Sequence, residues 1–221
     1  MSLVLFLAQA AGISLTGVLA PGPITAVCAA KGSRSPHAGG LVTIGHVIAE
    51  AAMMAAVFLL ADRLRNEVEV RSGVYLAGAA VLLLMGAAML VSAMRTAGRR
   101  GPPAEDGAPA EPTDSRLARA AESPLVLGLV LSAGSPYVIV WWLTVGAGLI
   151  MGSLEFGLIG FVLFAIVHWS CDLGWNWLVS AASYRGGRLL GGRAQLAIEG
   201  VCGVFLLFMA ARFALDGVMR T

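Results

Sequence analysis

Six apolar blocks, at approximately 3–30, 38–61, 73–94, 124–151, 154–183 and 195–215, occupy most of this 221-residue chain. Each is long enough to cross a bilayer, which takes about 20 residues of helix. In hydrocarbon every backbone N–H and C=O must find its partner within the protein, so helices or closed barrels are the only spanning structures. Uninterrupted blocks of this length exclude the alternating pattern of a barrel. Charged residues make up 13% of the chain, about half the usual share of a globular domain. The expected fold is therefore an all-α membrane protein with six transmembrane helices.

The one clear interruption is 95–123, RTAGRRGPPAEDGAPAEPTDSRLARAAES, which carries five arginines against five acids. Its charge and prolines predict a flexible linker between a first three-helix unit at 1–94 and a second at 124–221. The loops after the first, third and fifth blocks hold ten of the fifteen basic residues, among them Lys31, Arg95 and Arg185. Short cytoplasmic loops collect Lys and Arg, so these three loops are expected in the cytoplasm and both termini outside. The opening MSLVLFLAQAAGISLTG resembles a signal peptide at Ala8-Gln9-Ala10. It lacks a basic n-region and its apolar run continues, so it is read as part of the first helix. Cys28, Cys171 and Cys202 all lie in apolar blocks and are expected to pack rather than to bond.

Ionisable residues within such blocks are costly and mark function. His46 and Glu50 sit four residues apart, as do His168 and Asp172, and the pairs repeat at an offset of 122 residues. Residues i and i+4 share a helix face. The same offset places Gly78 on Gly200, while an offset of 113 places Ala20-Pro21-Gly22-Pro23 on Ala133-Gly134-Ser135-Pro136. Two copies of a three-helix unit must enter the membrane from opposite sides. The expected architecture is an inverted repeat, with its site where the repeats meet.

Pro23 and Pro136 each remove a backbone donor and predict broken first and fourth helices. The N–H groups exposed at such breaks can hold a carboxylate. Pro21, Gly22, Pro23 and Thr25 at one break, and Ser135, Pro136 and Tyr137 at the other, are the candidate binding residues. Trp141 and Trp169 are added as aromatic walls for a cation, whereas Trp175 and Trp177 are read as interfacial. His46, Glu50, His168 and Asp172 are the candidates for proton or cation coupling. The same four form a plausible ligand set for a divalent metal.

These residues carry a resemblance. Ala20-Pro21-Gly22-Pro23, Gly39-Gly40-Leu41, Gly45-His46, Tyr75-Leu76-Ala77-Gly78, Gly86, Ser135-Pro136 and Gly200 resemble the LysE/RhtB family of amino-acid exporters. The resemblance implies six helices, an inner-membrane location, and ion-driven export of an amino acid or similar small zwitterion. Ser135 stands where members commonly carry Asn, and with Glu50 and Asp172 it sets the chain in a side branch. Distant relatives move metals, so a metal carrier is the alternative cargo reading. No enzyme motif, cofactor fingerprint or nucleic-acid patch accompanies these features. The expected partners are a small amino-acid-like molecule, protons or another coupling ion, and lipid. Small residues such as Gly78 and Gly86 also allow a homodimer.

Overall fold

The computed structural model describes residues 2–20, 22–98, 123–186 and 192–219, all helical apart from short connections. Side chains at 61–66, 96–98, 192–195 and 199 are outside the description, as are Pro21 and most of the 95–123 linker. The helices are α1 (Leu3–Leu19), α2 (Pro23–Gly32), α3 (Ala38–Asn66), α4 (Val68–Gly98), α5 (Pro124–Ala133) and α6 (Pro136–Trp141). They continue as α7 (Ala147–Ser153), α8 (Gly157–Tyr184) and α9 (Gly192–Met219). A π-helical turn at Trp142–Gly146 joins α6 to α7, and a 3₁₀ turn at Leu154–Phe156 joins α7 to α8.

Ala38–Leu60, Val68–Arg95, Pro136–Tyr184 and Leu196–Met219 are long and apolar enough to cross a membrane, and α1 with α2 passes the same test as a bent pair, a fifth span if the two count as one. The chain is thus a multi-pass helical membrane protein. The outward-facing residues agree with a lipid surround, since Leu59, Leu84, Ile159 and Val201 are each at least 70% exposed.

Proline decides where the helices break. Pro23, Pro124 and Pro136 each open a helix, where the missing N–H would have had no intrahelical partner anyway. The axes of α1 and α2 meet at 68°. At the second break the Ser132 carbonyl accepts from the Ser135 amide at 3.3 Å and the Val130 carbonyl from the Gly134 amide at 2.9 Å. The carbonyl that Pro136 would orphan is thereby satisfied by a tight turn. Gly157 ends the 3₁₀ turn at φ 70°, a left-handed conformation that disfavours any side chain. The fourth and fifth blocks meet there. α4 carries on through Arg95 to Gly98, and the rest of the expected linker lies outside the described residues.

Close packing depends on glycine. A Cβ on Gly45 would collide with the Leu125 carbonyl, and one on Gly128 with the Val42 carbonyl, so α3 and α5 touch backbone to backbone. Gly39 meets the Asn176 backbone of α8 in the same way. In α4, Gly86 lies against Gly203 of α9, the helix it packs along for most of its length. The matched glycines differ in surroundings: Gly78 sits against Phe213, while Gly200 has open space around it. α8 lies across α1, α2 and α3, which brings its polar face to theirs.

Candidate functional site

His46 and Glu50 project from α3, and His168 and Asp172 from α8, with every one at most 9% exposed. They interleave. Glu50 is 3.2 Å from its own helix partner His46 through Oε1, and its Oε2 reaches His168 Nε2 across the interface at 3.3 Å. Asp172 Oδ2 lies 3.5 Å from His168 Nε2 and 3.9 Å from His46 Nε2. The Trp142 indole donates to Glu50 Oε1 at 3.0 Å. Both Nε2 atoms therefore face both acids.

The other ring nitrogens are held by serines from the broken helices. Ser14 of α1 donates its one hydroxyl proton to the Ala10 carbonyl at 2.8 Å, leaving its oxygen to accept from His168 Nδ1 at 2.7 Å. Ser132 of α5 donates to the Gly128 carbonyl and accepts from His46 Nδ1, each at 2.6 Å. A hydroxyl has one proton; with that proton placed on its own helix's carbonyl, each serine leaves its imidazole to carry hydrogen on Nδ1. The tautomer is assigned from the network. Nitrogen-15 spectra are expected to show protonated Nδ1 on both rings. Ser14→Ala should release only His168 from that state, and Ser132→Ala only His46; a reversed or shared response would contradict the pairing.

The π-turn aims two neighbouring tryptophans at this cluster. Trp141 and Trp142 meet edge to face at 5.1 Å; Trp141 stacks on His168 at 5.7 Å, and Trp142 meets the same ring edge-on at 5.2 Å. Consecutive residues of an α-helix point about 100° apart, so burying both asks for a local change of pitch. π-turns are frequent at functional sites. Gly146 makes room for the Trp142 ring, which a Cβ would strike.

The cluster forms one end of a cavity of about 670 Å³. Gly22, Pro23 and Thr25 line it at one break, and Ser135 and Tyr137 at the other. Pro136 opens α6 beside Ser135 but is not among the lining residues, and Pro21 lies outside the described residues. The two breaks differ: Gly22 gives α2 no side-chain cap, whereas the Ser135 hydroxyl accepts from the Val138 amide at 3.4 Å and caps α6. Met85, Met89, Val138 and Trp141 supply an apolar wall.

Trp169 does not line this cavity; its indole N–H is buried without a partner, and its ring packs against the main core. Trp142 reaches the acids instead, one position along from Trp141. Sequence reasoning also passed over Ser14, Ser132 and Asn176. Asn176 had a visible signal, since it extends His168 and Asp172 by one more four-residue step. The serines had none, because hydroxyls are common in membrane helices.

The ligand atoms of His46, Glu50 and Asp172 lie within 4.8 Å of one another. They can gather around a cation, but in this conformation the histidines already meet the acids.

A search of curated proteins and a search of solved structures each returned no match. The family model described as LysE type translocator matches residues 15–217, which includes every side chain of this site except Ser14.

Proposed function

The chain belongs to the LysE type translocator family, and from that premise we propose that it exports an amino acid or related small zwitterion across the inner membrane in exchange for protons. Its family is one of transporters rather than of enzymes. The observation that carries the reading is the single cavity joining an uncapped helix start to a buried His–acid cluster. A zwitterion needs both ends of such a site. Its carboxylate fits the first-turn N–H groups of α2, where the helix dipole favours negative charge. Its ammonium fits Glu50 and Asp172. The capped start of α6 is the weaker anion site, so the carboxylate is assigned to Gly22, Pro23 and Thr25 rather than shared between the breaks.

Hydrogen counting supports proton coupling. With Nδ1–H fixed on both rings, each close Nε2···O contact needs a proton between nitrogen and carboxylate. Two protons make the four-residue cluster neutral, and their departure leaves two bare carboxylates. Cationic cargo and the protons compete for the same oxygens, which is the requirement for exchange.

The transport cycle is read as rocking of residues 1–94 against 124–221. The six crossings are α1 with α2, α3, α4, α5 through α7, α8 and α9. In support, the 49-residue stretch Pro136–Tyr184 would measure about 74 Å as one helix, more than twice the hydrocarbon core. The cytoplasmic placement of the basic loops, and any pairing of two copies, are parts of the same proposal.

Purified protein in liposomes is expected to move a small neutral amino acid when a pH gradient is imposed, and to stop when a protonophore collapses it. Flux indifferent to the gradient would remove the coupling, and absence of flux across the common amino acids would remove the cargo class. A divalent metal is the weaker cargo. The cavity far exceeds one ion, and its larger part is apolar. Saturable stabilisation by zinc or manganese, lost in His46→Ala, would restore that reading.

A further inference from the structure

Two buried acceptors in this cavity make no hydrogen bond, although one of them also stands within ion-pair distance of both histidines. They are Asp172 Oδ2 and Asn176 Oδ1, on residues 4% and 1% exposed. Four positions apart on α8, they share a face, and both residues line the cavity. An unsatisfied buried acceptor is costly, and such groups in a native protein ask for a ligand or another explanation.

Turning the Asn176 amide to relieve its oxygen would take the Thr43 hydroxyl away from its own helix. Thr43 of α3 gives its hydroxyl proton to the Gly39 carbonyl at 2.9 Å. Its oxygen can then only accept, and it does so from Asn176 Nδ2 at 3.0 Å. Flipping the amide would set two acceptors against each other. The contact is possible because Gly39 lets α3 close onto the α8 backbone at Asn176. Thr43 therefore fixes which end of the Asn176 amide remains available.

We propose that Asn176 is a cargo-binding residue whose carboxamide oxygen, together with the Asp172 carboxylate, selects a primary ammonium over N-alkylated cations. This rests on the reading of the cavity as a cargo site, though not on the cargo being an amino acid. A primary ammonium carries three donors directed tetrahedrally. At an ordinary N···O distance of ~2.8 Å, two of its acceptors stand roughly 4.6 Å apart. Side chains at i and i+4, with Cβ atoms about 5–6 Å apart, can present oxygens at that spacing. A quaternary ammonium has no donor and would leave both oxygens orphaned. Discrimination by unpaired polar groups is larger than discrimination by size.

The test uses the purified full-length protein and its own tryptophan fluorescence, since Trp141 and Trp142 line the cavity. The probes are butylammonium chloride, butyltrimethylammonium chloride and sodium chloride. Butylammonium is expected to bind at least roughly tenfold tighter than its trimethyl analogue, the value of one hydrogen bond to a charged group. Asn176→Leu should lower that preference by about tenfold, leaving only the share that the Asp172 carboxylate supplies. Thr43→Val should erode it similarly by freeing the amide, and Thr43→Ser should restore it. The threonine pair answers the question even if Asn176→Leu fails to fold. A preference that survives both Asn176→Leu and Thr43→Val overturns the proposal, as does a sodium response of equal affinity that competes with butylammonium. Ammonium selection without amino-acid flux would leave Asn176 standing and remove the amino-acid reading. Amino-acid flux without ammonium selection would do the reverse.

Discussion

Glu50→Gln is expected to lower transport in liposomes by at least about a hundredfold, with a clear drop in melting temperature. Glu50 is the acid that bridges both histidines most closely: Oε1 receives the Trp142 indole and stands 3.2 Å from His46, while Oε2 stands 3.3 Å from His168. Glutamine matches glutamate in shape, so the change tests charge and hydrogen bonding rather than packing. Its NH₂ must point either at the Trp142 N–H and His46 or at His168. One orientation sets donor against donor, and the other demands a bare Nε2 on His168. Removing one member of a buried charged pair costs ~3–5 kcal/mol, equivalent to at least two powers of ten. Asp172→Asn supplies the contrast. Asp172 Oδ2 makes no hydrogen bond in this conformation and stands farther from both histidines than the Glu50 oxygens do, so its loss should lower the melting temperature less than the loss of Glu50 while still stopping transport. Equal thermal effects of the two variants would show that Glu50 is not the central bridge.

Gly128→Ala and Gly45→Ala are expected to destabilise the protein by at least ~3 kcal/mol each, the upper end of overpacking costs. Each added methyl would meet a backbone carbonyl, that of Val42 or of Leu125. A carbonyl cannot rotate away as a long side chain can, so α3 and α5 would have to separate. That separation reaches the site directly, because Gly45 precedes His46 and Gly128 lies one turn before Ser132. Gly174→Ala is the control. Nothing lies within 4 Å of the Cβ it would add, and alanine in a helix is worth roughly 0.5–1 kcal/mol over glycine. Melting curves in detergent should therefore fall for Gly45 and Gly128 and hold or rise for Gly174. A neutral Gly128→Ala would mean that the close approach is not required.

The apolar blocks and the prolines were legible because both act locally. A bilayer-length apolar run and a missing N–H constrain the chain whatever its neighbours do. The pairs His46/Glu50 and His168/Asp172 were legible through helix geometry and through their shared offset. Their cross-connection was not, since nothing along the chain says that Glu50 meets His168 as closely as it meets His46. The choice of Trp142 over Trp169 depends on the π-turn at Trp142–Gly146, whose pitch no periodicity reports. The serine partners were hidden for a further reason. Ser14 and Ser132 do not correspond at either repeat offset, so the internal likeness that exposed the histidines could not expose them. The difference between the two breaks was likewise hidden. Gly22 and Ser135 look equivalent as residues before a proline, yet only the serine has a side chain able to cap.

Every polar contact between side chains of the cluster, except His46–Glu50 and His168–Asp172, runs between the first half of the chain and the second. Ser14 holds His168, Ser132 holds His46, Trp142 and His168 hold Glu50, and Asn176 holds Thr43. On the proposed cycle, these contacts would be what holds the two halves together at the site. To part the halves with nothing bound would strip several buried polar groups at once, each without water to replace its lost partner. A molecule able to open the passage must carry its own substitutes for those contacts, so that admission and identification become one event.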